Sequence, residues 1–312
     1  MSARLETPAD YESLLAKYDT WMFDCDGVLW HGDRLIDGAV EVLSLLRSRQ
    51  KKVLFVTNNA TKSRKSYKGK FDQLGVEAHV DEIYGSAYAA AVYISSVIKL
   101  PKDKKVYVIG MKGMEEELRD EGVSFIGGTD PADCTTAPFS LDTFTPDPAV
   151  GAVLCGLDTA VTYTKLSKAF QYLTRADPTN PASPKNLETC AFLATNEDST
   201  YPAGAGLLPG AGAVSAPLRY ALGRDPVAIG KPNGQMLDCI RAKVPFDPAR
   251  TIMIGDRLNT DILFGQNGGL GDVVGANWYY HRIRPHWSQL LPPSFPDYVT
   301  ASIGDLRVVA SE

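Results

Sequence analysis

Two carboxylates stand two positions apart at the end of an apolar run, and their types and spacing are suited to metal-assisted chemistry. Asp24 and Asp26 follow the run 21–23 and precede Gly27. Since side chains alternate faces along a strand, residues i and i+2 share one side. Two carboxylates so close repel each other and raise a pKa, and a hard cation such as Mg²⁺ would relieve that repulsion. An Asx-type turn, with Gly27 supplying backbone freedom, is the alternative interpretation.

Three further apolar runs end in polar residues of related chemistry. These runs and the residues that follow are 53–57 with Thr57 and Asn58, 227–230 with Lys231, and 251–255 with Asp256 and Asp261. We expect all four ends to meet, because the carboxyl ends of parallel strands lie at one edge of a sheet. Carboxylates for a metal, a hydroxyl and amides for phosphate oxygens, and one ammonium are the groups needed for phosphoryl transfer through an aspartyl-phosphate.

Strands and helices alternate along the whole chain, which predicts an α/β fold with parallel pairing. The apolar periodicity predicts strands at 21–23, 53–57, 82–84, 105–109, 150–155, 190–195, 227–230 and 251–256. It predicts helices at 37–48, 63–74, 87–98, 113–121, 163–174, 212–222 and 234–243. Two stretches rich in Pro, Asp and Thr, 127–148 and 177–186, are expected to be loops.

The bulk composition excludes several classes of function. With 312 residues, two domains are expected. A net charge of −5 gives no electrostatic basis for binding nucleic acid or anionic membranes. No apolar stretch approaches the roughly 18 residues of a membrane span, and the amino-terminal segment lacks the apolar core of a signal peptide. The five cysteines are scattered, which indicates a reducing compartment.

Taken together, the four motifs resemble the signatures of the haloacid dehalogenase (HAD) superfamily of phosphatases. They are Asp24-x-Asp26-Gly27-Val28-Leu29, Thr57-Asn58-Asn59, Lys231-Pro232 and Gly255-Asp256-Arg257-Leu258-Asn259-Thr260-Asp261. With the segments 57–64 and 194–202, they are similar to the eukaryotic 4-nitrophenylphosphatase/phosphoglycolate phosphatase family, and the fungal members look nearest. The resemblance implies a Rossmann-like HAD core at 1–86 and 223–312, with helices on both faces of its sheet. It also implies a large α/β cap of the C2 type at 87–222, a homodimer formed through the cap and a cytoplasmic location.

The resemblance also assigns catalytic roles. It implies that Asp24 attacks phosphorus and that Asp26 first protonates the leaving group and then activates water. Mg²⁺ would be held by Asp24, the Asp26 backbone carbonyl and Asp256. Asp261 is expected to orient Lys231 or a metal-bound water, and Lys231 to stabilise the charge on nucleophile and phosphate.

Substrate contacts are expected from a further set of residues. These are Gly27, Thr57, Asn58 and Asn59 at the phosphate, with Arg64 and Asn196 as candidate polar groups of the cap. The predicted function is Mg²⁺-dependent hydrolysis of small phosphate monoesters, 2-phosphoglycolate first and 4-nitrophenyl phosphate also. The alternatives are a pyridoxal phosphate or phosphoprotein phosphatase of the same family, and a phosphoacceptor signalling module. A phosphotransferase on the same site and a catalytically idle scaffold are further alternatives.

One segment departs from the family pattern. After Gly271 the family continues with an apolar strand, whereas this chain reads Asp272-Val273-Val274-Gly275-Ala276-Asn277-Trp278. Residues 272–275 could supply only a stub of that strand. We therefore expect the segment 272–287 to pack irregularly or to be mobile, with the four motifs unaffected because they precede it.

Overall fold

The computed structural model describes residues 2–175, 190–203, 206–276 and 295–311. The predicted loop at 177–186 lies outside these ranges. Within them, none of the helices has the length and apolar character needed to cross a membrane.

Sixteen strands are found among the described residues. In chain order they are β1 (Ala3–Arg4), β2 (Thr20–Phe23), β3 (Trp30–His31), β4 (Arg34–Leu35), β5 (Lys52–Thr57), β6 (Ile83–Gly85), β7 (Lys105–Ile109), β8 (Phe125–Gly127), β9 (Val150–Cys155), β10 (Ala191–Ala194), β11 (Thr200–Ala203), β12 (Gly206–Pro209), β13 (Val227–Ala228), β14 (Thr251–Gly255), β15 (Asp272–Ala276) and β16 (Tyr298–Thr300).

Nine α-helices lie between them in the described ranges. They are α1 (Pro8–Lys17), α2 (Ala39–Ser48), α3 (Arg64–Gln73), α4 (Ser86–Val92), α5 (Lys112–Asp120), α6 (Tyr163–Thr174), α7 (Ala211–Leu222), α8 (Gly234–Lys243) and α9 (Leu263–Asn267). The predicted helix 87–98 changes to a π-helical turn at Tyr93–Val97, and a second π-turn at Leu258–Ile262 leads into α9.

The chain forms two compact units, each with its own sheet. The first unit comprises Met1–Thr57, Tyr67–Tyr84 and Lys231–Glu312. Its sheet has the order β1-β16-β15-β14-β2-β5-β6, and β2 pairs in parallel with both β14 and β5. All four residues of β2 are buried, as expected for a central parallel strand covered on both faces.

The second unit comprises Asn58–Ser66 and Gly85–Gly230. Its main sheet has the order β13-β10-β9-β7-β8, and these pairings are parallel. Helices α6 and α7 pack on it through Ala169, Tyr172, Leu173, Val214 and Leu218. This unit is larger than the predicted cap range of 87–222, because it also includes 58–66, 85–86 and 223–230.

The strand that precedes Lys231 does not belong to the first unit's sheet. β13 pairs with β10 in the second unit, with Leu193 opposite Val227 and Ala194 opposite Ala228. The prediction that all four apolar runs end at one sheet edge is therefore wrong for the run 227–230. Pairing with β10 satisfies its backbone, and Gly230 N–H donates to the carbonyl of Thr195 at 2.7 Å.

The segment after Gly271 begins with a regular strand. β15 lies between β14 and β16, parallel to both, and Val273, Val274 and Ala276 are buried. The expectation of irregular packing is wrong for Asp272–Ala276, because this backbone pairs in regular register with both neighbouring strands and its short apolar side chains are buried on the faces of the sheet. The rest of that expectation falls on residues outside the described ranges.

Candidate active site

Three adjacent strands of the first unit present polar side chains at their carboxyl ends. Asp24 follows β2, Thr57 ends β5, and Asp256 follows β14. Asp24 N–H donates to the carbonyl of Ile254 at 2.9 Å, which extends the β2–β14 ladder by one residue and fixes the backbone of the carboxylate. Because β14, β2 and β5 are neighbours, the sheet brings these three residues to one edge.

Lys231 is buried among these side chains and is fully hydrogen-bonded. Its Nζ donates to Asp24 Oδ1 at 2.7 Å, to Asp261 Oδ1 at 2.6 Å and to the carbonyl of Val56 at 2.7 Å. An ammonium has three protons, and these three acceptors use all of them. The side chain is therefore held as a fixed positive charge beside Asp24.

The charged groups at this site shift one another's pKa values. Burial opposes the charged form of Lys231, but attraction to Asp24 and Asp261 outweighs it and raises the pKa of Lys231. Burial also raises the pKa of Asp24 well above its ordinary value, with Lys231 acting in the opposite direction and Asp261 and Asp256 adding to the rise. One ammonium thus faces three carboxylates, and a further cation would stabilise the ionised form of Asp24.

The carboxylates form a donor set that fits a divalent metal. One oxygen each from Asp24, Asp256 and Asp261 lies within 4.8 Å of the others. Oxygen donors of this kind suit Mg²⁺. Asp261 uses Oδ1 on Lys231 and accepts the Arg257 backbone N–H on Oδ2 at 3.0 Å, so Asp24 and Asp256 are the better candidates for direct ligands.

Two glycines allow the carboxylates to come so close. Gly27 has a φ of +100°, and a Cβ there would lie 2.5 Å from Asp256 Oδ2. A Cβ on Gly255 would lie 2.0 Å from the Asp261 Cβ. The Gly27 N–H is donated to the carbonyl of Trp30 at 2.8 Å, so its predicted contact with phosphate stays a prediction.

Asp26 lies in a set of contacts that the sequence did not reveal. Trp30 Nε1, Tyr67 Oη and Lys70 Nζ all lie within hydrogen-bond distance of its carboxylate. Burial raises the pKa of Tyr67 well above its ordinary value, so its hydroxyl remains a donor. The Tyr67–Lys70–Phe71 spacing on one face of α3 is a signal that could have been used, because residues three and four apart share a helix face.

The remaining predicted substrate residues belong to the second unit. Asn196 Nδ2 donates to the Asn58 carbonyl at 2.8 Å, and Asn58 Nδ2 donates to Asp198 Oδ1 at 3.2 Å. Asn59 Oδ1 accepts from the Thr61 backbone N–H at 2.9 Å, which is the geometry of an Asx turn. These polar side chains are thus fixed by local contacts, and their predicted roles toward substrate stay predictions.

Arg64 is also engaged within the second unit. Its Nε lies 3.2 Å from Glu117 Oε2, and its guanidinium stacks on Tyr88 at 3.3 Å from the ring centroid. The guanidinium therefore has a structural role already, and its predicted contact with substrate stays a prediction.

Comparison with known proteins identifies the family of this chain. The sequence profile of the family described as haloacid dehalogenase-like hydrolase matches residues 21–124, and a HAD-hydrolase-like profile matches residues 228–275. The 4-nitrophenylphosphatase of Schizosaccharomyces pombe is 47% identical over 315 aligned positions, which span 99% of this chain and 100% of the relative. The chain belongs to the haloacid dehalogenase-like hydrolase family, and it is a phosphatase.

Other relatives carry related names. Phosphoglycolate phosphatase 2 of Arabidopsis thaliana is 40% identical, with 98% of each chain covered. Glycerol-3-phosphate phosphatase of Gallus gallus is 35% identical, with 94% of this chain and 92% of the relative covered.

Solved structures show the same fold. A single mutant of the thermostable NPPase from Geobacillus stearothermophilus superposes with a TM-score of 0.71 at 26% identity, covering 93% of this chain and 98% of that one. Glycerol phosphate phosphatase from Mycobacterium tuberculosis, solved in complex with magnesium, superposes with a TM-score of 0.72 at 25% identity. The superposition covers 94% of this chain and 78% of that one. The predicted α/β fold, a HAD core with a cap, is confirmed.

Proposed function

We propose that this enzyme hydrolyses small phosphate monoesters through a phosphoryl-enzyme intermediate on Asp24, with Mg²⁺ as cofactor. The observation that carries the proposal is the contact of the buried Lys231 ammonium with Asp24, in a group of three carboxylates. A fixed positive charge beside the nucleophile is suited to stabilise charge that develops on phosphate during transfer.

The first step is an attack by a carboxylate oxygen of Asp24 on phosphorus. A bond forms between that oxygen and phosphorus, and the ester bond between phosphorus and the leaving oxygen breaks. The electron pair goes to the leaving oxygen, and Asp26 supplies its proton. This division of one displacement into two is nucleophilic catalysis.

The second step returns the enzyme to its starting state. A water oxygen attacks phosphorus, and the bond between phosphorus and Asp24 breaks. Asp26 accepts the proton of that water, so each cycle restores both residues and releases inorganic phosphate. A carboxyl that acts first as acid and then as base contributes about 10²–10⁴-fold.

The metal ligands are assigned by the same proposal. Asp24, the Asp26 backbone carbonyl and Asp256 would hold Mg²⁺, and Asp261 would orient Lys231. When bound, the ion would neutralise charge on the phosphate and on the crowded carboxylates. The carboxylate geometry supports this assignment, as does the magnesium in the solved glycerol phosphate phosphatase.

For the substrate we propose 2-phosphoglycolate, with 4-nitrophenyl phosphate also accepted. Relatives over nearly the full chain, named 4-nitrophenylphosphatase and phosphoglycolate phosphatase, support this choice. Glycerol 3-phosphate belongs in the same assay because a further relative carries that name. Pyridoxal 5′-phosphate and a phosphopeptide test the two alternative phosphatase activities of the same family.

The defining experiment measures phosphate release by the purified protein with Mg²⁺ or EDTA, beside Asp24→Asn. We expect turnover that needs Mg²⁺ and is lost in the variant, with 2-phosphoglycolate giving the highest kcat/KM. Asp33→Asn, an exposed carboxylate of the same unit, serves as the matched control. Full activity in Asp24→Asn would overturn the assignment of the nucleophile.

The intermediate can be observed directly with Asp26→Asn. Because 4-nitrophenolate leaves without a proton, this variant should still be phosphorylated but should hydrolyse the intermediate slowly. We expect a burst of 4-nitrophenol close to one equivalent per active site, followed by a slow phase. Absence of a burst, with unchanged steady turnover, would contradict the general-base role of Asp26.

The homodimer formed through the cap and the cytoplasmic location remain proposals supported by the family resemblance. Size-exclusion chromatography with light scattering tests the first, and imaging of the tagged protein tests the second. A monomer at micromolar concentration would overturn the proposed assembly.

A further inference from the structure

The carboxylate of Asp26 is held by three donors from two elements. Oδ1 accepts from Trp30 Nε1 at 2.8 Å and from Lys70 Nζ at 3.4 Å, and Oδ2 accepts from Tyr67 Oη at 3.1 Å. Trp30 follows the catalytic loop, whereas Tyr67 and Lys70 lie on α3. The Asp26 side chain is 36% exposed, so its orientation is not set by burial and must come from these contacts.

Tyr67 is the rigid member of this set. It is buried, with 3% of its surface exposed, and its ring packs against Trp30 and Phe71 with centroids 6.0 and 5.8 Å apart. Its hydroxyl is also hydrogen-bonded to the side chain of Thr57. One buried hydroxyl thus connects the proposed acid–base group to the proposed phosphate-binding threonine.

Lys70 contacts the Trp30 ring as well as the Asp26 carboxylate. Its Nζ lies 4.5 Å from the centroid of the Trp30 ring, and only 14% of its side chain is exposed. A cation over an indole face is attracted by the ring. The ammonium is therefore fixed between Trp30 and Asp26, whereas Lys68 on the same helix pairs with Asp72 at the surface.

The hydrogen bonds to the Asp26 carboxylate indicate which of its acceptor positions is left for the transferred proton. A carboxylate offers about four acceptor positions, two on each oxygen. Among the described residues, two positions on Oδ1 are used by Trp30 and Lys70, and one on Oδ2 by Tyr67. The position that remains is on Oδ2, which is where the transferred proton can reside.

We infer that Tyr67 and Lys70 are positioning residues that orient Asp26, so that Oδ2 gives its proton to the leaving oxygen and later accepts the proton of water. The inference rests on the proposed function, since it concerns the same acid–base step. Among the side chains of the enzyme, only Asp26 gains or loses a proton in these two steps. Tyr67 and Lys70 act through Asp26 and do not contact the reacting atoms.

The test uses the acidity of the leaving group. An alkoxide leaves poorly without a proton, whereas 4-nitrophenolate leaves well without one, so only alkyl phosphates depend on a well-oriented acid. We therefore compare kcat/KM, which reports the phosphorylation step, for 2-phosphoglycolate and 4-nitrophenyl phosphate. If 2-phosphoglycolate is not turned over, glycerol 3-phosphate replaces it as the alkyl phosphate.

The variants are Tyr67→Phe, which removes one hydroxyl and keeps the ring, and Lys70→Met, which keeps most of the stem. We expect kcat/KM to fall roughly tenfold or more for the alkyl phosphate and at least about threefold less than that for 4-nitrophenyl phosphate, since any disturbance of Thr57 affects both substrates alike. Lys68→Met is the matched control on α3 and should change neither value. Equal losses on both substrates, or no loss on either, would overturn the inference.

Asp26→Asn separates this inference from the proposed function. It should show the same discrimination between leaving groups, and more strongly. If Asp26→Asn discriminates and the two α3 variants do not, the positioning role fails alone. If Asp26→Asn does not discriminate, the acid role of Asp26 fails and the positioning role with it.

Discussion

Lys231 Nζ lies 2.7 Å from Asp24 Oδ1, although 207 positions separate the two residues in the chain. Both groups are buried, and the same ammonium reaches Asp261 at 2.6 Å. Both residues belong to the first unit, so the contact lies within that unit. The contact links the geometry of the site to stability, because a buried charge that loses its partner is costly.

Replacement of Lys231 by Met should impair both activity and stability. The variant leaves Asp24 and Asp261 without the cation between them, and breaking a buried pair in this way costs about 3–5 kcal/mol. We expect kcat to fall by about 10²-fold or more, because preorganised charge is usually the largest catalytic term. Steady-state kinetics and a thermal melt in EDTA measure the two effects.

Lys68→Met, at the surface of α3, is the control for loss of a lysine. It should leave kcat and the melting temperature close to those of the wild type. Near-normal kcat in Lys231→Met would contradict the role assigned to this ammonium.

Removal of the Asp256 carboxylate should weaken Mg²⁺ binding and so abolish the stabilisation that Mg²⁺ provides. Saturating a site at 100 times its Kd stabilises a folded protein by about 2.7 kcal/mol. We expect Mg²⁺ to raise the melting temperature of the wild type and to have little effect on Asp256→Asn. In EDTA the variant should melt no lower than the wild type, because one of three crowded carboxylates is gone.

Asp238→Asn provides the comparison, since Asp238 lies on the surface of α8 and outside the site. Its response to Mg²⁺ should match that of the wild type. An undiminished Mg²⁺ shift in Asp256→Asn would remove Asp256 from the ligand set.

A methyl group on Gly255 should displace Asp261. A Cβ there would lie 2.0 Å from the Asp261 Cβ, which no side-chain rotation can relieve. Overpacking of this kind costs about 1–3 kcal/mol, and the displaced carboxylate would release Lys231. We expect Gly255→Ala to lower both the melting temperature and kcat.

Gly234→Ala is the control for Gly255→Ala. A Cβ at Gly234 meets nothing within 4 Å, and the residue begins α8. The variant should keep full activity and gain about 0.4–1 kcal/mol of stability from the stiffer unfolded chain. If the two alanine variants behave alike, close packing at Gly255 is not the cause.

The second unit contains a buried carboxylate, Glu117, that should make the stability of the protein depend on pH. Burial raises the pKa of Glu117 above its ordinary value of 4.5, although its contacts with Arg64 act in the opposite direction. The unfolded chain therefore loses the Glu117 proton at a lower pH than the folded protein does. The stability gained from the protonated group is present below pH 4.5 and is lost as pH rises through the folded pKa.

Glu117→Gln has no proton to lose in this range. We expect its melting temperature, relative to the wild type, to rise as pH increases from 4.5 through the folded pKa of Glu117, in a series of thermal melts up to pH 7. Glu41→Gln, at an exposed glutamate of α2, should show a constant difference over the same range. A relative melting temperature for Glu117→Gln that stays flat or falls would show that the Arg64 contact dominates.

Much of the site was accessible to prediction because it depends on local sequence. A run of apolar residues such as 53–57 favours a buried strand, and a polar residue at its end must lie at the sheet edge. This reasoning correctly placed Asp24, Thr57 and Asp256 after adjacent strands. It failed for the run 227–230, since the pattern of a short apolar strand does not say which of two sheets it will join.

The segment 272–276 is a second case in which the local sequence did not predict the structure. Its sequence differs from the family pattern, yet Val273, Val274 and Ala276 alone supply enough apolar surface to form β15. Strand formation here depends on the space between β14 and β16, which is a property of the assembled sheet.

By itself, the sequence determined the α/β class and the phosphatase activity and predicted the residues that carry it, because motif spacing and apolar periodicity act over a few positions. Only the tertiary structure decided which partners each charge has. Tyr67 and Lys70 reach Asp26 from 41 and 44 positions away, and Lys231 reaches Asp24 from 207. Such contacts depend on how buried surfaces pack around one another, and no local pattern records that packing.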